Sequence, residues 1–166
     1  NNIETAGLDI DISYQTDLAS GELYVGLSAN YLDKYNITGI ATRDTQELVG
    51  EVLFPELCYN LNVSYTVDKL NLYWQLRYWD ATKDRNDNTI MTSALNSIDA
   101  QYYNDVRASY QLMDNTNAYI GVKNLFDNQP PLLTANHKYQ QAGTLTNGTA
   151  YDLVGRSFYA GVTLSF

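Results

Sequence analysis

Lys83-Asp84-Arg85-Asn86-Asp87-Asn88 places oxygen-bearing side chains at Asp84, Asn86 and Asn88, the alternate spacing by which a calcium loop offers ligands to one ion. The glycine that should follow, and a bidentate Glu further along, are missing, so the segment reads as a solvated loop tip. His137 is the single histidine. It has no second His or Cys with which to share a metal and no Ser beside it for a nucleophilic pair, so no catalytic residue, metal site or cofactor is expected. Asp or Ser partners converging on His137 would be required for an enzyme. Cys58, also single, cannot form an internal disulfide and reads as a small apolar residue. Two sets of residues suit binding rather than catalysis. Asp9, Asp11, Asp99 and Asp105 fall on polar strand faces, where they could line a cation-friendly conduit or pair with basic groups. Tyr35, Trp79, Tyr139 and Tyr151 fall in or beside long connections, where aromatic faces could stack on a sugar or another ring of a ligand.

These side chains are positioned by strands. A period of two runs through residues 5–16, 22–31, 57–67, 70–79, 98–112, 117–123 and 156–166. Most are about 10 residues long, the length a tilted strand needs to cross a bilayer and more than soluble sheets commonly use. One face carries Leu8, Ile10, Ile12 and Tyr14, then Leu23, Val25 and Leu27, and continues through Trp74, Leu76 and Tyr78 to Ile98, Tyr102, Val106 and Tyr110, with Asn104 its one polar break. The other carries Asp9, Asp11 and Ser13, then Asn60, Asn62 and Ser64, then Gln75, Arg77, Tyr103, Asp105 and Arg107. Apolar outside and wet inside is the pattern of a membrane barrel, and Tyr14, Tyr31, Tyr78 and Tyr110 are placed to form parts of aromatic girdles.

Connections alternate strictly. Asp17 to Gly21, Asp68-Lys69 and Met113 to Thr116 are short, whereas 32–56, 80–97 and 124–155 are long. Short turns on one side and long loops on the other are the topology of an outer-membrane barrel, with the long loops external. Seven strands leave unpaired edges, so the alternatives are a complete small barrel with an eighth strand within 137–150, of structural or adhesive role, or part of a larger one.

The bulk numbers agree with this reading. A chain of 166 residues with 15 Tyr and 3 Pro has no apolar run long enough for a spanning helix. Mean hydropathy of −0.34 does not argue against a barrel, half of whose wall faces water. Ten Lys and Arg against 19 Asp and Glu give a net charge of −9, which excludes a nucleic-acid partner. A secreted β-sandwich binding module would not expose Leu23, Val25, Leu27 and Trp74 together. Three Asn-X-Ser/Thr matches stand at Asn36, Asn62 and Asn147, and are compositional if the source is bacterial.

Gly121-Val122-Lys123-Asn124-Leu125-Phe126-Asp127-Asn128-Gln129-Pro130-Pro131 resembles the signature that closes the penultimate strand of TonB-dependent outer-membrane receptors, and Gly155-Arg156-Ser157-Phe158-Tyr159 through Phe166 resembles their last strand. In such a turn Asn124 and Asp127 cap the chain as it leaves the membrane. Leu125 and Phe126 anchor it at the interface, and Pro130 and Pro131 stiffen the exit. The resemblance implies an all-β, antiparallel up-and-down transmembrane barrel of about 22 strands. Residues 1–166 would be its C-terminal seven-strand portion, with no plug domain among them. It further implies a bacterial outer-membrane location, lipid around the wall, and active uptake of a scarce ligand of siderophore, cobalamin or oligosaccharide type. An N-terminal plug and a TonB-contacting segment would lie outside this sequence.

Overall fold

The computed structural model describes residues 2–39, 44–86, 96–133 and 137–165. Among these residues ten strands form: β1 (Asn2–Leu18), β2 (Gly21–Thr38), β3 (Thr45–Glu47), β4 (Leu57–Val67), β5 (Leu70–Trp79), β6 (Thr82–Lys83), β7 (Ser97–Ile98), β8 (Gln101–Met113), β9 (Thr116–Lys123) and β10 (Ser157–Leu164). The main antiparallel sheet runs β1-β2-β4-β5-β8-β9-β10, with β3 added beside the end of β2. Each long strand thus lies beside the next long one in sequence, an up-and-down meander. β1 and β10 end the order without meeting, so the wall is open among the described residues.

Register aligns the two faces. One row reads Tyr14, Val25, Val63, Trp74, Val106, Val122 and Phe158 across seven strands, an unbroken apolar band. Nearer the long-loop end Ile10, Ala29, Tyr59, Tyr78 and Tyr102 form the next band but one, with the Tyr59 and Tyr78 rings stacked at 4.7 Å. Tyr31 lies above it and donates its hydroxyl to Glu56 at 3.1 Å. Tyr65 and Tyr110 mark the short-turn end, whereas Tyr14 falls in the middle band rather than at a strand end. On the opposite face Asp11, Ser28, Asn60, Arg77 and Tyr103 share a row. There Ser28 donates to Asp11 and Asn30 to Asp9, both at 2.6 Å, and Tyr73 donates to Asn62 at 2.6 Å. Polar groups on this face thus find partners within the wall itself.

The break at Asn104 on the apolar face has a local answer. Trp74 donates its indole N–H to the Asn104 side-chain oxygen at 3.0 Å, and the Asn104 carbonyl accepts from the Leu125 N–H at 2.7 Å. A buried amide on an apolar surface is tolerated because its acceptors are used.

Several sequence expectations need correction. The strand read as 98–112 begins at Gln101. Ser97 and Ile98 instead form a two-stranded ribbon with Thr82 and Lys83, and Ile98 is buried among the loops rather than presented to lipid. Asp99 leaves the polar face with it and lies exposed outside the strands. β1 and β2 pair from Asn2↔Thr38 down to Leu18↔Gly21, so much of what alternation assigned to a long connection is a strand, including Tyr35. A bulge at Asp33, between the Ala6↔Lys34 and Gly7↔Leu32 pairs, interrupts the period of two there and hides the continuation. No strand forms among the described residues of 137–150. Phe166 and Asn88 lie outside the described residues.

Candidate functional site: the loop mouth

All three long connections leave the same end of the sheet and fold against one another. Val52, Ile98, Leu133 and Tyr151 are buried together, one or two from each connection, and Trp79, Tyr139 and Ala150 pack around them. Burial of a few aliphatic and aromatic side chains, each worth about 1.5–3 kcal/mol, is what makes these loops a folded cap.

Polar ties reinforce it. Glu51, almost fully buried, accepts from the Lys138 ammonium at 2.7 Å, from the Tyr139 hydroxyl and from the Asn86 N–H at 3.1 Å. Asp84, 0% exposed, lies 2.7 Å from His137 Nδ1 and 3.5 Å from Arg85 Nε and also accepts the Lys138 N–H. Of the segment read as a solvated tip, Lys83 is exposed but Asp84 is a buried joint, and Asp87 and Asn88 lie outside the described residues. A carboxylate does converge on His137, yet the pair is sealed: its side chains are 2% and 0% exposed, and His137 Nε2 has no hydrogen-bond partner among the described residues. It ties two loops together with no described nucleophile at hand. Burial lowers the His137 pKa below its ordinary value, against the opposing pull of Asp84 and with help from Arg85. Tyr139 is pushed far up by burial and by its bond to Glu51, so its hydroxyl stays a donor. Among the described residues no cluster of three or more His, Cys, Asp or Glu is placed to hold a metal ion.

Beneath the cap, against the polar face, lies a cavity of about 780 Å³. Asn60, Gln75, Arg77, Trp79, Tyr103, Lys123, Tyr151 and Asp152 line it. Trp79 ends β5 and donates its indole N–H to the Val52 carbonyl at 3.3 Å, which fixes the ring at the cavity rim. Tyr151 is held by its hydroxyl, 3.2 Å from Thr82 Oγ1, and burial raises its pKa. Arg77 lies 5.2 Å over the Tyr103 ring and reaches Asp105 at 3.4 Å and Asp152 at 3.7 Å, so one guanidinium joins wall to loop. The mixture of aromatic surface with a few fixed charged and amide groups is the lining that small polar ligands meet.

Of the four aromatics singled out from sequence, Trp79 and Tyr151 come together at this cavity. Tyr139 faces the Glu51 joint, and Tyr35 sits in β2 with its ring against Phe54 at 4.6 Å. Sequence reading misses Glu51 and Asp152, and places Asp84 in a loop tip and Arg77 on the polar face without their roles, because their partners are distant in the chain.

The turn after β9 is tightly bonded. Asn124, fully buried with a φ of 50°, donates to the Asn128 carbonyl and accepts the Asn128 N–H, each at 2.9 Å. Its own N–H donates to Asp105 at 2.8 Å. Asp127, φ 56°, accepts the Arg156 N–H at 2.8 Å and so ties the exit of β9 to the entry of β10. Leu125 is half-buried, Phe126 exposed, and Pro130 and Pro131 half-buried beyond them. Phe158 points out on the apolar face and Tyr159 onto the polar one.

Solved structures share this architecture. The ferric enterobactin receptor PfeA of Pseudomonas aeruginosa, in mutant form, superposes with a TM-score of 0.63 at 20% identity over 98% of this chain and 22% of that one. Another mutant of the receptor, in complex with enterobactin, gives 0.62 at 20% identity over 98% and 22%. The ferric-catecholate import receptor Fiu of E. coli K12 gives 0.58 at 15% identity over 98% and 21%. The likeness is one of fold, an antiparallel up-and-down wall. This chain spans no more than 23% of the length of the receptor chains it matches. No protein-family model matches the sequence, and no curated protein does.

Proposed function

We propose that residues 1–166 are the C-terminal portion of the barrel of a TonB-dependent receptor in a bacterial outer membrane, forming wall and external mouth for the active uptake of a siderophore-type ligand. The carrying observation is the mouth itself: three long loops from one end of the sheet fold over the polar face and leave a cavity lined by Trp79, Tyr151, Tyr103 and Arg77. The fold shared with ferric enterobactin and ferric-catecholate receptors supports siderophore over cobalamin or oligosaccharide. On this reading the plug and the TonB-contacting segment belong to chain outside these residues, lipid surrounds the apolar bands, and no covalent chemistry takes place here. An open wall with unpaired β1 and β10 edges speaks against a complete small barrel.

Two measurements test the proposal. The intact protein recovered from outer-membrane fractions should have a denatured mass at least three times the 18.7 kDa of this chain. Cells carrying the full-length receptor should accumulate ⁵⁵Fe from ferric enterobactin, and Trp79→Ala should lower that uptake several-fold at unchanged receptor abundance. A mass near 18.7 kDa, or uptake of cyanocobalamin or maltodextrin instead, would overturn it.

A further inference from the structure

The apolar face of the wall is not smooth. Along β8 it sinks into a groove of about 490 Å³, floored by Val106 and Ala108, with Leu72 and Trp74 of β5 on one side and Ile120 and Val122 of β9 on the other. Register sets this up: Trp74, Val106 and Val122 share one row, and Leu72, Ala108 and Ile120 share the row two residues nearer the short turns. β5 and β9 lie about 10 Å apart with β8 between them, so short side chains on β8 leave the width of one hydrocarbon chain. An α-helix, about 10–12 Å across, cannot enter. Trp74 is held by its bond to Asn104, so that wall of the groove stands before anything occupies it.

Length and charge say what fits. From the Trp74 row to the Leu70–Tyr110 pair beside the turn is about 13 Å at 3.3 Å per residue, close to the half of a roughly 30 Å hydrocarbon layer that one leaflet supplies. The groove thus runs from the middle of the wall toward its short-turn rim. There the Lys69 carbonyl accepts the Gln111 N–H at 2.9 Å, which lays the β4–β5 turn over the end of β8. Lys69 is exposed, and among the described residues it is the one cation at this rim, beside Asp17, Glu22, Asp68 and Asp114, with no carboxylate within ion-pair distance. Asp114 stands in the β8–β9 turn, on the other side of the groove. A purely anionic head group would meet more negative than positive charge here, whereas a zwitterionic one finds a partner for each of its ends.

We propose that this groove holds one acyl chain of a zwitterionic, amine-bearing glycerophospholipid from the short-turn leaflet, with its phosphate at Lys69 and its head-group ammonium at Asp114. The site rests on the receptor reading, which puts this face in lipid, and goes beyond it, since solvation of a barrel by lipid needs neither a groove nor a preferred head group. The phosphate accepts charge-assisted hydrogen bonds from the Lys69 ammonium, and the chain covers Val106 and Ala108, which the wall itself leaves open.

Native mass spectrometry of the full-length receptor tests it, after extraction from outer membranes, removal of lipid and titration with palmitoyl-oleoyl phosphatidylethanolamine or its phosphatidylglycerol counterpart. One phosphatidylethanolamine should stay bound under activation that strips all others, and phosphatidylglycerol should be retained roughly threefold less. Ala108→Leu, which fills the floor and displaces methylene groups of the chain, should weaken retention roughly tenfold. Lys69→Ala should weaken it roughly threefold. Equal retention by the unaltered receptor and Ala108→Leu, both running as heat-modifiable barrels, would overturn the proposal. So would phosphatidylglycerol held as tightly, or no lipid outlasting the rest. If Ala108→Leu does not fold, Lys69→Ala on its exposed turn decides, and unchanged retention there overturns the site. A protein absent from outer-membrane fractions would sink the receptor reading separately, and a barrel found there without this preference would sink only the lipid site.

Discussion

Trp74 and Asn104 show how one polar group is carried on a face otherwise apolar. The indole N–H fills the amide oxygen, so truncating the donor alone leaves an acceptor without a partner, at a cost of about 1–3 kcal/mol. Trp74→Phe should therefore lower the denaturant midpoint of the refolded receptor, Asn104→Leu alone should cost less, and the double variant should recover part of the loss. Additive losses in that cycle would mean that the bond contributes nothing. His137 makes a different prediction. Its folded pKa lies below the unfolded value of about 6.5, so the unfolded loops bind the extra proton first. Cap stability is complete above that value and is lost as pH falls through it toward the folded pKa. Amide exchange at Lys138 and Tyr139, corrected for intrinsic rates, should quicken between pH 7.5 and 5. His137→Gln, neutral throughout, should flatten the profile, and an unchanged profile would refute the assignment.

Among the elements, the β9–β10 exit is a densely bonded turn, and its two contributions can be separated. Asn124→Ala loses both Asn128 bonds and also forces a Cβ residue without a helpful side chain into left-handed backbone, whereas Asn124→Gly loses only the bonds. Ala should cost about 2–4 kcal/mol and Gly about 1 kcal/mol less, read as heat-modifiable barrel on gels after refolding. Removing residues 124–131 altogether should impair assembly more than ligand choice, and a correctly inserted deletion with altered selectivity would contradict that. Strand positions were largely legible in the sequence: alternation found β4 and β5 to the residue, because each buries neither face and period two is the whole signal. It failed where a bulge changed the phase in β2, and at Ile98, whose apolar side chain continues the alternation but serves the cap instead of the wall. Trp79 and Tyr151 could be guessed as mouth residues from their place in the loops. Glu51 and Asp84 could not, since nothing near them in sequence distinguishes a buried acid from a solvated one.

At the scale of the molecule, the open wall governs behaviour outside its context. β1 and β10 present full-length rows of unpaired N–H and C=O groups, a template for edge-to-edge pairing. Residues 1–166 produced alone and refolded into detergent should give strand-rich oligomers, and a stable monomer by light scattering would contradict the missing-wall reading. Within the wall every pairing joins a long strand to the next long one along the chain, three across short turns and three across long loops, so hairpins can form in order. The cap is the opposite case: Glu51 meets Lys138 across 87 positions and Asp84 meets the Lys138 amide across 54. Its joints cannot close until every hairpin between them stands in register. The mouth is therefore a late event in the birth of the protein, and a cell in which it has closed already holds this stretch of wall fully threaded.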